Sequence, residues 1–221
     1  MKKIIISPSI LGCDYAHLGD EINKLKAAPT DWIHLDVMDG HFVPRTTFGN
    51  YFIREAIKPY DLVKDVHLMI SNPLDVIEDY YEAGADYLTF HFESLDNENE
   101  VNEVIDKIRS FGMKAGISIK PKTDVEVIFP FLDKLDLVLI MSVEPGLGGQ
   151  KFLESALGKI EKLRKEIDSR GLKTLISVDG GINDKTSFAC VKAGVDILVV
   201  GNYLFGHPDF QERFDRLPKH E

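Results

Sequence analysis

Four side chains have the types and spacing to do chemistry together. Residues 32 to 40 read WIHLDVMDG, so His34 and Asp36 occupy alternate positions of an otherwise aliphatic run. DVHLMI at 65 to 70 repeats the pattern, with Asp65, His67 and Met69 opposite Val66, Leu68 and Ile70. TLISVDG at 174 to 180 sets Ser177 and Asp179 against Ile176 and Val178, and DYLTFHFE at 86 to 93 adds Thr89, His91 and Glu93. A strand turns successive side chains to opposite faces, so each run has one greasy face and one bearing imidazoles, hydroxyls and carboxylates. A lone His-x-Asp is common, and a single interior histidine is usually just a hydrogen-bonded residue. The convergence of His34, Asp36, His67 and Asp179 on one face is what points to a site. Nitrogen and carboxylate donors without thiolates suit one divalent ion of Zn, Fe, Mn or Co, and speak against a purely structural zinc centre.

The elements that must position these residues are short. Strand patterns occur at 3–9, 32–38, 64–70, 86–93, 114–120, 137–144, 174–180 and 196–202, with amphipathic stretches between them. Asn72-Pro73 reads as a helix start, and Gly84, Gly112, Gly171 and Gly194 read as helix stops. Pro130 makes the helix after the fifth strand short or kinked. Eight β-then-α units without a long linker predict an α/β fold of one domain over 1–221, a (β/α)8 TIM barrel, with an open doubly wound sheet as the competing architecture. In the barrel the apolar strand faces pack on helices and the polar faces point to the axis. EAGADYLTFH and KAGVDILVVG recur 110 residues apart, which suits two four-unit halves or, equally, a common helix-to-strand turn.

Asp36 on the second strand and Asp179 on the seventh then lie on opposite sides of an eightfold ring. Two carboxylates so placed can remove a proton from one face of a flat intermediate and return one to the other, inverting a carbon, while a metal stabilises the enediolate. In a blander reading one of the two is only a ligand and water is the base. Phosphate recognition has candidates in EPGLGGQ at 144 to 150, VDGG at 178 to 181 and VVGN at 199 to 202, where glycine lets backbone N–H groups approach an anion. Loops after strands seven and eight are the usual phosphate site of this barrel class.

Composition excludes other classes. The chain has 26 Lys and Arg against 36 Asp and Glu, a formal net charge of −10, and no concentrated basic surface of the kind a nucleic-acid binder needs. Its two cysteines, Cys13 and Cys190, form neither a disulfide framework nor a zinc-finger pair. The apolar stretch in MKKIIISPSIL is too short for a secretory signal, and no run is long enough to span a membrane, so a cytoplasmic protein is expected.

SPSIL at 7 to 11, HLDVMDGHFVP at 34 to 44, DVHLMI at 65 to 70, the AGAD segment, PGLGGQKF at 145 to 152 and VDGGI at 178 to 182 form a co-linear set across nearly the whole chain. With these motifs the chain resembles the ribulose-phosphate 3-epimerase family. The resemblance implies a metal-dependent barrel enzyme of carbohydrate metabolism, interconverting D-ribulose 5-phosphate and D-xylulose 5-phosphate in the pentose phosphate pathway. It implies His34, Asp36, His67 and Asp179 as metal ligands, with Asp36 and Asp179 as the two acid/bases. It also implies substrate contacts from Ser9 and His67, a cover formed by Gly146, Leu147, Gly148 and Gly149, and a phosphate site at Gly180, Gly181, Gly201 and Asn202. Met38, Met69 and Met141 match a thioether cluster lining the family's pocket, and a homo-oligomer, dimer or hexamer, is implied as well. The chain departs from the family pattern at Lys120-Pro121 and Glu144 in place of two asparagines, and at Arg45, Leu147, Ser177 and Asn202. Lys120 and Glu144 leave neighbouring strands, which suggests an ion pair between them; a Schiff-base role for Lys120 is a weaker alternative.

The departures cluster in loops that cover substrate, so a hexulose phosphate such as D-allulose 6-phosphate competes with the pentulose phosphate. A non-catalytic sugar-phosphate sensor and a metal-free phosphate-binding barrel such as a decarboxylase are the alternatives of other classes. Retention of both Asp36 and Asp179 speaks against the sensor.

Overall fold

The eight sequence runs become eight strands: β1 Ile5–Pro8, β2 Trp32–Met38, β3 Val63–Met69, β4 Tyr87–His91, β5 Lys114–Ile119, β6 Leu137–Met141, β7 Leu175–Asp179 and β8 Ile197–Val200. In this computed structural model, which describes residues 3–220, all seven strand pairings are parallel. Residues 1, 2 and 221 of the domain expected over 1–221 lie outside the described residues. The sheet order is β1-β8-β7-β6-β5-β4-β3-β2, and its two edges meet at a parallel bridge between Ser9 and His34. The barrel thus closes beside a predicted ligand. The open sheet is overturned, because its edge strands would not touch.

The helices are α1 Leu18–Ala27, α2 Asn50–Phe52, α3 Ile77–Glu82, α4 Glu98–Ser110, α5 Ser155–Ser169, α6 Thr186–Ala193 and α7 Phe210–Asp215. Outward strand residues such as Ile33, Leu35 and Val37 pack with inward helix residues in one main core. In α4 that stripe is Val101, Val104, Ile105 and Ile108, the spacing of one helical face, and the Asn97 side chain caps its start by accepting from the Asn99 and Glu100 N–H groups. Two stretches with helical patterns, one of them already expected to be short or kinked at Pro130, wind differently. α2 runs on into a wider turn over Ile53–Ile57, where Lys58 N–H reaches back five residues to Ile53. Between β5 and β6, Val125–Lys134 is a 3₁₀ segment around Pro130 that buries Val125, Ile128 and Phe131 at intervals of three. Pro130 cannot donate to the carbonyl four residues back, and a period of three suits the tighter winding.

Three aspartates lock the N-terminal ends of three of the four even strands. Just before β4, β6 and β8, the carboxylates of Asp86, Asp136 and Asp196 accept from the N–H groups of Lys64, Ala115 and Ile176, at 2.7, 3.0 and 2.7 Å. The same aspartates donate their own N–H groups to the carbonyls of those same three residues. The AG-x-D repeat is therefore half of a pattern that recurs at Leu135-Asp136 without the Ala-Gly. This favours turn chemistry over barrel halves as its cause. Inside the barrel the fit is close: a Cβ on Gly116 of β5 would lie 2.2 Å from Thr89 Oγ1.

Candidate active site

The polar strand faces do meet on the barrel axis, toward the C-terminal ends of the strands. Imidazole and carboxylate atoms of His34, Asp36, His67 and Asp179 lie within 4.8 Å of one another. Their strands are not diametrically opposed, as the sequence suggested. Counting β2, β1, β8, β7 around the closed ring puts Asp36 and Asp179 three strands apart.

Each ligand candidate is aimed by a neighbour. Asp36 accepts from the Ser9 hydroxyl at 2.6 Å through Oδ2, and its Oδ1 lies 3.1 Å from His67 Nδ1. His34 is fully buried, and its Nδ1 lies 2.8 Å from Asp65 Oδ2. A carboxylate there holds the proton on Nδ1 and leaves Nε2 as a lone pair. That Nε2 lies 3.3 Å from Asp36 Oδ1 and makes no hydrogen bond among the described residues. An orphaned imidazole nitrogen facing two carboxylates fits a divalent cation, and the N2O2 donor set suits a transition metal.

Charges in the metal-free site press against each other. Burial and the nearby Asp36 carboxylate push the Asp179 carboxyl up to about 6. Burial opposes ionisation of Asp36 too, but His34 and His67 beside it hold its carboxyl well below the usual carboxylate range. Burial alone would discharge His34, yet Asp36 and Asp65 on either side raise its pKa well above the ordinary imidazole value.

Above the cluster is a cavity walled by the loops that follow the strands. Ser9, Asp36, Met38, Met69, Met141, Gly146, Leu147, Gly148, Gly149, Asp179, Gly180, Gly181, Gly201 and Asn202 all line it, and His34 and His67 lie buried outside its lining. The three methionines share the cavity but not one cluster. Met38 and Met69 pack with Val43, whereas Met141 packs with Leu139 and Val199. Gly181 has φ +64°, and a Cβ there would lie 2.5 Å from the Phe152 backbone nitrogen, so the turn after β7 admits no side chain. Asn202 sits between Gly12 and the 146–149 loop, close enough that a Cβ on Gly12 would meet its Oδ1 at 2.8 Å. Asp39 organises the rim, accepting from the N–H groups of His41, Phe42 and Ser71 at 2.8 Å each.

Lys120 and Glu144 do not pair. The Lys120 ammonium rests 3.9 Å from the Phe42 ring centroid, and Glu144 offers its backbone carbonyl to the Gln150 side chain at 2.7 Å. The aromatic face satisfies the cation, and the turn carries Glu144 to the cavity wall without bringing its carboxylate to Lys120.

The sequence profile of the ribulose-phosphate 3 epimerase family matches residues 5–205. The chain belongs to that family. The ribulose-phosphate 3-epimerase of Bacillus subtilis is 45% identical over 93% of this chain and 94% of its own length. The chloroplastic enzyme of Arabidopsis thaliana is 43% identical over 95% of this chain and 74% of its own. Among solved structures, a tryptophan synthase α-subunit from Pyrococcus furiosus aligns with a TM-score of 0.69 at 12% identity, covering 97% of each chain. A 3-hexulose-6-phosphate synthase aligns with a TM-score of 0.66 at 17% identity over the same shares. These two likenesses speak for the barrel alone. No helix among the described residues is long and apolar enough to cross a membrane.

Two groups behind the His/Asp cluster were visible in the alternation but carried no role there. Asp65 and His91 fall on the axial faces of β3 and β4, and only the closed barrel shows that Asp65 holds His34 and that His91 touches His67. Burial keeps His91 neutral, down at about 4. Burial alone would raise the Glu93 carboxyl, but hydrogen bonds from His91, Thr123 and Lys120 hold it at about 2.

Proposed function

We propose that this chain is a metal-dependent epimerase inverting C3 of a ketose phosphate, with D-ribulose 5-phosphate and D-xylulose 5-phosphate as its substrate and product. One observation carries the reading: two carboxylates from different strands of the ring converge on one buried His/Asp cluster at the floor of a glycine-walled cavity. Membership of the epimerase family and the names of the relatives support the same reaction.

Asp36 and Asp179 are the acid/base pair. One removes the proton at C3 and the other delivers a proton to the opposite face, and the roles exchange in the reverse direction. Their environments push their pKa values apart in the metal-free protein, as suits one group that takes and one that gives. Ser9 fixes the orientation of Asp36 through its 2.6 Å hydrogen bond. A single divalent ion held by His34, Asp36, His67 and Asp179 would supply positive charge against the negative charge that develops on the substrate oxygens. Met38, Met69 and Met141 give the reacting carbons an apolar wall that limits water. Gly180, Gly181, Gly201 and Asn202 receive the phosphate through backbone N–H groups and one amide, and residues 146–149 cover the bound sugar.

The test is kinetics on D-ribulose 5-phosphate and D-allulose 6-phosphate side by side, in deuterated water. The expected result is a kcat/KM clearly higher for the pentulose, with deuterium entering at C3. Faster turnover of the hexulose reassigns the substrate, and product free of label at C3 removes the two-base scheme.

A further inference from the structure

His67 has two nitrogens with different neighbours, and the second leads away from the cluster. Its Nδ1 faces Asp36, while its Nε2 lies 2.9 Å from the Nε2 of His91. Both rings are fully buried. Two ring nitrogens that close cannot both carry protons, and they attract only if one donates to the other. His91 Nδ1 lies 3.2 Å from Glu93 Oε2, and Glu93 Oε1 accepts from the Lys120 N–H at 2.6 Å and from the Thr123 hydroxyl. Lys159 in turn ties down that turn, donating to the carbonyls of Lys120, Pro121 and Thr123.

Each neutral proton order sets one lone pair beside a carboxylate, His67 Nδ1 beside Asp36 or His91 Nδ1 beside Glu93, and a cation shared by His67 and Asp36 would relieve only the first. With the first relieved, a carboxylate at Glu93 requires a proton on His91 Nδ1, which leaves His91 Nε2 as an acceptor. His67 must then donate from Nε2, and its Nδ1 is free to act as a ligand. The opposite order would set the lone pair of His91 Nδ1 against the Glu93 carboxylate. We infer that His91 and Glu93 are positioning residues that fix the tautomer of His67, so that Nδ1 is the nitrogen it offers to a bound cation. The chain of contacts runs from the turn after β5 to β4 and then to β3. It plays for His67 the part that Asp65 plays for His34. The inference rests on the metal site proposed above, and partners of this kind typically change metal affinity about 10- to 100-fold.

The experiment uses the full chain with Co²⁺ and Zn²⁺ as probes. Competition against a chromophoric chelator gives Co²⁺ affinity, the visible absorption of Co²⁺ reports ligand geometry, and ¹H–¹⁵N correlation of the imidazoles, with and without Zn²⁺, reports which nitrogen is protonated. Expected are protonation of His67 at Nε2 and of His91 at Nδ1 in both states. Glu93→Ala and His91→Leu should weaken Co²⁺ binding about 10-fold or more. His91→Gln, whose carbonyl can still accept from His67 Nε2, should stay near the unsubstituted protein in affinity and spectrum. That rescue separates tautomer control from a packing role, which any change of shape would disturb. Unchanged affinity and absorption in both Glu93→Ala and His91→Leu would overturn the inference, as would a His67 lacking a proton at Nε2. If the unsubstituted chain bound no Co²⁺ or Zn²⁺, the metal reading would fail by itself, and the protonation pattern of the metal-free protein would still decide the relay.

Discussion

The two ends of the barrel use the same side chain in opposite ways. At the N-terminal end, Asp86, Asp136 and Asp196 each receive a backbone N–H from the preceding strand, and Asp196 is also paired with Arg164. At the C-terminal end, Asp36 and Asp179 gather with two buried histidines, one of which has an orphaned nitrogen. A buried charge is tolerated where hydrogen bonds and counter-charges meet it, and the first end meets that condition from its own backbone. The second end is left short of positive charge. The difference teaches where this fold stores stability and where it holds a demand that a ligand can answer.

Substitutions that split the two ends should separate activity from stability. The largest effect is expected for Asp36→Asn or Asp179→Asn, each lowering kcat on the order of 10³-fold, while in Asp179→Asn, which removes the carboxylate that burial and Asp36 disfavour, the melting temperature of the metal-free protein holds or rises. Steady-state kinetics and thermal denaturation check this, and a fall in melting temperature with activity intact would erase the contrast. Asp196→Ala should do the reverse. Urea titration should show a loss on the order of 3 kcal/mol, because Arg164 loses its most buried counter-charge and the Ile176 N–H loses its carboxylate acceptor, with kcat/KM of the folded protein unchanged.

The active end should also respond to pH in a way the locked end does not. Asp179 sits near 6 in the metal-free protein against an ordinary 3.8, so between those values the folded chain binds a proton that the unfolded chain has released. Stability of the metal-free protein should therefore fall as pH rises from about 4 through 6, on the order of 2 kcal/mol in all. The raised pKa of His34 adds to the fall at higher pH. Denaturation curves across that range should flatten in Asp179→Asn and with divalent metal added. A slope that persists in Asp179→Asn between pH 4 and 6 would assign it to other groups. The smallest effect is expected for Asp86→Ala, whose carboxylate is exposed. A loss under about 1 kcal/mol would grade the locks by burial, and a loss equal to that of Asp196→Ala would show that the backbone hydrogen bond alone sets their strength.

Much of this was legible in the residues. Seven of the eight strands lie within the runs read from the sequence and β3 begins one residue before its run, and the motifs around His34, Asp36, His67 and Asp179 named both the cluster and the family. The helices were less legible. The wide turn at Ile53–Ile57 leaves no mark in the hydrophobic pattern, and Pro130 announced an irregularity without saying that the whole segment would wind as 3₁₀. At the site, the Lys120–Glu144 pairing failed because adjacency of strands does not fix where long side chains go once a turn intervenes. The Phe42 face, from a loop far away in sequence, was the better partner for Lys120.

What the sequence by itself determined is which face of each strand every residue occupies. Alternation is a property of the extended backbone alone, so His34, Asp36, His67, His91 and Asp179 were bound to share the axial side of any closed barrel. Only the tertiary structure decided that Asp36 and Asp179 stand three strands apart, that Asp65 holds one nitrogen of His34, and that His91 and Glu93 stand behind His67. Those distances depend on how the strands are staggered when the sheet closes between Ser9 and His34, and stagger is set by the packing of the whole ring.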